Sequence, residues 1–288
     1  MTKIIRSPIP ALLAGLSLLA APALAEGPVQ LRYKFAKGLK LSYQMQIAQG
    51  MELQSSTSPE PQQMKTAMDV DFHQKVLAVK PAGAEIEFGF DKVAAEAELG
   101  GQRMPVPQME SLDQVVLRAR MSERGKMEAL EVHNADALPP EAQKMAVEMK
   151  KSIAQNALVF PEGPLKKGAS WEVEQRVPTQ LGGGPALEMR VQSKYTYAGM
   201  EEHLGRQAAR IETRVQVSLH GETTQMGVPV KADMEGAGDG QAWFLPEKGQ
   251  LLHTRTEFLI KGKVVGEQEG QQMTTRMKID TKAEMRLR

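Results

Sequence analysis

The chain has 288 residues, 41% of them hydrophobic and 25% charged, enough to bury a sizeable core. Its net charge of +1 becomes −1 once the two cations of the first 25 residues, Lys3 and Arg6, are set aside, so no long-range field gathers nucleic acid. Cysteine is absent, which excludes disulfides, thiolate metal sites and a lipid-modified N-terminal Cys.

The N-terminus reads as a secretory signal. Lys3 and Arg6 form its positive region, Ala11 to Ala20 its apolar run, and Ala23-Leu24-Ala25 its small-residue cleavage box. The apolar run is too short to span a bilayer. The expectation is cleavage after Ala25 and a periplasmic or secreted protein with no transmembrane segment in its mature form.

Leu31, Tyr33 and Phe35 alternate with basic residues, and Leu39 to Ile47 alternate again after Lys37-Gly38, which predicts a β-hairpin turning at Gly38. Residues 51–65 are polar and Pro-containing and read as a loop. Strands follow at Met68–Val79, Ala84–Leu99, Val115–Ser122 and Met127–His133, with Gly89 marking a bulge or bend. Pro139-Pro140 opens a helix ending near Asn156. Ala142, Met145, Met149 and Ile153 recur in it at intervals of three or four, giving one apolar stripe. Alternation resumes at Trp171, Val173 and Val177. Further strands are expected at Leu187–Tyr197, Arg206–His220, Ala232–Leu245 and Leu251–Ile260, then a turn at Lys261-Gly262 and a last strand region, Lys263–Leu287.

Landmarks recur in the two halves. Gly38 corresponds to Gly168, Gly125 to Gly249, and Met104-Pro-Val-Pro107 to Met226-Gly-Val-Pro229, as expected of an internal repeat. Trp171 then falls where Leu41 falls and is expected to be a core anchor. The organisation is signal peptide 1–25, first β half 26–138, helix and connector 139–163, and second β half 164–288. The fold class is mainly β: a strongly curved antiparallel sheet or partial barrel built from two similar halves, with one α-helix near 140–156. One continuous sheet is preferred over two separate ones.

No motif specifies a reaction. The five histidines, His73, His133, His203, His220 and His253, lie outside metal-ligand spacing of one another. Met64/Met68 and Met273/Met277 would lie about 13 Å apart on strands, too far to share Cu(I). Met145/Met149, at helical spacing, suits core packing. G-x-S-x-G and S-x-x-K are missing, and the glycines of Gly182-Gly183-Gly184 lack a following Lys-Ser/Thr. No catalytic, cofactor-binding or metal residue is assigned, and no cofactor is expected. Basic residues precede Gly38, Gly125, Gly168, Gly249 and Gly262. They read as solvated tips, or as a rim for anionic head groups if several share one end of the sheet.

The phrases Tyr33-x-Phe35-x-x-Gly38, Phe160-Pro-x-x-Pro164-x-x-x-Gly168-x-Ser170-Trp171 and Tyr195-Thr-Tyr197-x-Gly199, with Gly205-Arg-Gln-Ala, resemble an exported bacterial β-rich family of unknown function. The resemblance runs from Leu31 to the C-terminus and carries turns and anchors, not catalytic groups. The architecture is similar in outline to periplasmic lipoprotein-carrier and lipid-binding folds, which implies a non-catalytic binding protein for a lipid or other apolar ligand. The Met-rich, aromatic-poor inventory suits an adaptable apolar pocket. The alternatives are a cell-envelope module that binds a protein and, behind it, an enzyme with an unrecognised site.

Overall fold

The structure, a computed structural model, describes residues 27–58, 60–106, 109–155, 157–179, 186–225, 228–268 and 271–288. The leader and part of the Met-x-Val-Pro landmarks lie outside the described residues. The strands are β1 (Lys40–Ser55), β2 (Gln62–Lys80), β3 (Gly83–Leu99), β4 (Gln102–Pro105), β5 (Val116–Met121) and β6 (Met127–Val132) in the first half. In the second half they are β7 (Ser170–Thr179), β8 (Leu187–His203), β9 (Arg206–Gln225), β10 (Val228–Leu245), β11 (Gln250–Gln268) and β12 (Gln271–Leu287). One α-helix, α1 (Pro140–Gln155), separates the two sets.

All twelve strands belong to one antiparallel sheet, ordered β6-β5-β3-β2-β1-β12-β11-β10-β9-β8-β7, with β4 paired to β3 off this path. The sheet is curved and not closed. Its order is unusual in one respect: the two hairpin-connected sets meet in the middle, through β1 and β12, while β6 and β7 form the edges. The stretch between the edges, α1 and residues 157–169, crosses from one to the other.

Alternation gives the sheet two chemically distinct faces. The inward face carries Tyr43, Met45 and Ile47 on β1, facing Phe72, Val70 and Met68 on β2. The outward face carries charges in cross-strand pairs such as Arg118–Glu87 at 2.8 Å and Arg190–Glu174 at 2.8 Å. Inward side chains form three buried clusters. The first joins Ala142 and Ala146 of α1, both 0% exposed, with Val70, Phe88, Phe90 and Leu117 of the sheet, and Met145, Met149 and Ile153 pack against it. The helical stripe thus packs on the core as its spacing predicts.

The second cluster plugs one end of the sheet. Residues 27–36 and 158–169 run across this end, joined by the Val29–Leu165 bridge. They hydrogen-bond to the strand turns: Tyr33 N–H to the Glu123 carbonyl (2.7 Å), Lys34 N–H to Gly249 (3.3 Å) and Phe160 N–H to Arg124 (2.8 Å). Phe160 and Phe244, both 0% exposed, meet edge to face at 4.7 Å, and Tyr33 joins them at 5.4 and 5.1 Å. Trp171 stacks on Tyr195 at 5.3 Å and donates from Nε1 to the Val159 carbonyl at 2.8 Å, as befits a core anchor. The gap left among Tyr33, Leu41, Val76 and Leu251 is only about 20 Å³, so this end is filled. The third cluster, Leu187, Leu219, Ala232 and Met234, lies toward the other end of β8–β10.

Three sequence expectations change. Leu31–Phe35 does not pair with β1 in a hairpin; its alternation reports a half-buried extended segment whose partners are turns and the 158–169 connector. Period two reveals burial of one face, not the identity of the neighbour. Residues 51–65 are not one long loop, because β1 continues to Ser55 and β2 starts at Gln62. Lys261-Gly262 is not a turn but the middle of β11. A Cβ at Gly262 would lie 2.3 Å from the Asp233 carbonyl, so glycine serves close approach to β10 there.

The turns at Gly38 and Gly168 are built alike, with φ of +82° and +86°. Gly38 N–H bonds the Val76 carbonyl (2.9 Å), and Val76 N–H bonds Leu39 (2.9 Å); Gly168 N–H bonds Tyr197 (2.8 Å), and Tyr197 N–H bonds Ala169 (2.9 Å). Immediately after each strand partner the register shifts, between Val76 and Ala78 and between Tyr197 and Gly199.

Candidate functional site: an uncovered apolar row and a histidine pair

Away from the plugged end, none of residues 49–55, 62–68, 254–264 and 273–283 on the central strands is fully buried, although Ile260, Val264 and Met277 pack against the third cluster. One row of cross-strand partners runs Leu99–Met64–Met51–Ile279–Ile260, over β3, β2, β1, β12 and β11. Five strands at about 4.8 Å spacing give it a span of roughly 20 Å. Met64, Met51, Ile279 and Ile260 are half-buried and Leu99 is 44% exposed. The row ends at Gly236, where a Cβ would stand 2.8 Å from the Ile260 side chain. Glycine thus lets Ile260 lie over the β10 backbone. The row nearer the plug, Ala97–Thr66–Gln49–Thr281–Phe258, supplies two hydroxyls and an amide on the same face. The arrangement is a greasy strip with a few polar handles, the usual composition of a site for an amphipathic ligand. Met64, earlier weighed against Met68 four residues along the strand, has Met51 as its lateral neighbour.

The outward face offers a different chemistry. Its hollows, of about 900 Å³ beside Arg190, Asp233, Lys261 and Arg276 and about 620 Å³ beside Asp69, Arg255 and Glu284, are rimmed by mixed charges. Among the described residues no group of three or more His, Asp or Glu is placed to hold a metal ion.

At the plugged end, the outward face carries a cluster that spacing along the chain concealed. The β8–β9 tip brings His203 over Trp243, with parallel rings 3.9 Å apart. His203 Nε2 lies 2.7 Å from His253 Nδ1, and His253 Nε2 lies 2.8 Å from Glu284 Oε1. Trp243 Nε1 donates to Glu201 at 2.7 Å, and Arg210 pairs with the same carboxylate at 3.2 Å. Arg286 and His253 hold the Glu284 carboxyl below its ordinary range, so it is an ionised acceptor. His253 Nε2 must then carry a proton for Glu284, leaving Nδ1 to accept from His203 Nε2–H. Burial pushes both imidazoles below their ordinary pKa, aided at His203 by His253 and at both by Arg255 and Arg286. The neutral pair therefore pins the β8–β9 tip to β10, β11 and β12. His203 and His253 lie on separate hairpins, and no local signal in the sequence joins them.

The fold defines a class: a large, open antiparallel sheet whose apolar inward face is only partly covered by the chain itself. No protein-family model and no curated protein matches the chain. Among solved structures it is similar to one described as "Lipid-protein interactions in lipovitellin", with TM-score 0.51, 12% identity, and coverage of 88% of this chain and 25% of that one. At that identity the likeness is one of fold, and this chain spans a quarter of the other's length.

Proposed function

We propose that the protein is an exported, non-catalytic binding protein that holds a lipid or other apolar chain along the uncovered inward face. The observation that carries this reading is the Leu99–Met64–Met51–Ile279–Ile260 row, apolar and only half-buried across five strands, with Ile260 alone packed against the third cluster. Leaving such a strip in water forgoes about 25 cal/mol for each Å² of apolar surface, and a ligand recovers it. Thioether side chains adapt to acyl chains of varied length and unsaturation. Thr66, Gln49 and Thr281 bond a carbonyl or hydroxyl at the ligand's polar end. The lipid named in the lipovitellin structure's description agrees with this class of ligand.

The filled plug confines the ligand to the half of the sheet bearing the row. Native mass spectrometry of protein purified from its own host tests this. A lipid-mass adduct is expected, and it should be lost in Met51→Lys/Met64→Lys while the far-ultraviolet spectrum stays the same. Bare wild-type protein from that source would sink the reading. Export rests on the 1–25 leader, and sequencing of the mature N-terminus should begin at Glu26.

The two halves, 26–138 and 164–288, are proposed to be copies of one unit. The like-built turns at Gly38 and Gly168, each followed by a register shift, support it. A crystal structure in which superposing the two halves fails to bring Gly38 onto Gly168 would count against common origin.

A further inference from the structure

Four of the five basic-glycine pairs sit in turns at the plugged end, because residues 27–38 and 158–169 stitch those turns together. Gly38 N–H bonds Val76 (2.9 Å), Gly168 N–H bonds Tyr197 (2.8 Å), the Gly249 carbonyl accepts from Lys34 (3.3 Å), and the Arg124 carbonyl accepts from Phe160 (2.8 Å). Arg124 is neutralised by Glu162 at 2.9 Å. Lys37, Lys166, Lys167 and Lys248 are exposed and have no ion-pair partner among the described residues. The same end presents the two most exposed large apolar side chains among the described residues, Leu204 at 55% and Val79 at 51%. Leu204 is at the β8–β9 tip, seven residues beyond Tyr197, which anchors the Gly168 turn, and Val79 is near the β2–β3 tip, three residues beyond Val76, which anchors the Gly38 turn.

Leu204 is doubly disfavoured where it stands. Its φ is +50°, in the left-handed region that a Cβ disfavours and where glycine or asparagine is the usual choice. It also shows a leucine side chain to water. A residue held against both conformational and hydration preference marks a contact made outside the folded chain.

We infer that the plugged end is a docking surface for an anionic lipid bilayer. Lys37, Lys166, Lys167 and Lys248 meet the head groups, and Leu204 and Val79 enter the boundary between head groups and acyl chains. Unpaired cations on a rim complement the negative potential of such a surface, whereas a salt-bridged rim would not. Two short apolar tips suit a peripheral, reversible contact. The surface lies at the opposite end of the sheet from the apolar row, so the inference does not rest on the ligand reading.

The test is co-sedimentation of the full mature chain with vesicles of phosphatidylglycerol and phosphatidylcholine, against vesicles of phosphatidylcholine alone. Wild type should pellet with the former and stay in solution with the latter. Each lysine near the surface is worth about 1 kcal/mol, roughly fivefold, so changing all four to Gln should weaken binding by at least about 100-fold. Leu204→Asn suits the left-handed backbone, so it should weaken binding with Tm unchanged or raised, which separates lost contact from lost fold. Failure of wild type to pellet with phosphatidylglycerol vesicles, equal pelleting with both vesicle types, or wild-type affinity in the lysine variant would each overturn the inference. The first of these is also the result expected of a rim made for an acidic protein.

Discussion

His253, 2% exposed, carries a pH dependence that few other side chains here can. Burial depresses the folded-state pKa of both His203 and His253, so below about pH 6.5, the unfolded value, the unfolded chain binds more protons than the native one. The contribution is therefore present above that pH and is lost as pH falls toward the folded values. The slope is at most about 1.4 kcal/mol per pH unit per proton. Tm measured from pH 7.5 downward should begin to fall near pH 6.5, and His203→Gln/His253→Gln should flatten that part of the profile. A wild-type profile already flat from pH 7 to 5 would remove the pair from the argument. Phe160 sets the other residue-scale expectation. Touching Phe244, Tyr33 and Trp171 from a fully buried position, it should cost about 3–5 kcal/mol on truncation to Ala in urea titrations.

At the scale of elements, local chemistry and lateral chemistry were unequally legible. The helix could be read almost to the residue, because Pro140, the Ala142–Met145–Met149–Ile153 stripe and the break before Phe160-Pro161 are all local signals. Residues 31–35 show the reverse. Their alternation is visible, yet their hydrogen-bond partners lie about 90 to 215 residues away, at Glu123, Pro161 and Gly249, which nothing in the pattern states. Glycine was the most ambiguous letter. At Gly38 and Gly168 it makes a positive-φ turn, but on β10 it clears space for the neighbouring strand. A Cβ on Gly238 would stand 2.3 Å from the Phe258 ring and 2.5 Å from the Glu257 carbonyl. Gly238→Val should therefore destabilise by about 1–3 kcal/mol and raise amide exchange along β10 and β11 first. The apolar row was half legible. Leu99 lay on an expected strand and Ile279 in the alternating last region, while Met51 and Met64 were hidden by the polar residues between them. The histidine pair was not legible at all, since 50 positions and two strands separate its members.

The whole molecule depends on one seam. β1 and β12 pair along thirteen residues, from Tyr43–Leu287 to Ser55–Thr275, and among the described residues only this ladder joins the two sets of strands within the sheet. Removing residues 271–288 should thus do more than trim the chain. It exposes the facing edges of β1 and β11 together, and size-exclusion chromatography should show association where the intact chain runs as a smaller species. A truncated chain of unchanged size and Tm would show that α1 and the plug alone hold the halves.

That seam also fixes an order of events in time. β1 can take β2 as a partner as soon as both exist, but its other side has no neighbour until β12, more than 215 residues later, has been delivered. Through that interval a sixteen-residue strand shows an unsatisfied row of amides and carbonyls, with Met45, Ile47, Met51 and Leu53 on its inward side. The loop closure that brings β12 home carries the largest entropic cost among the strand pairings, and a holding chaperone acting on the nascent chain has its longest opportunity at β1.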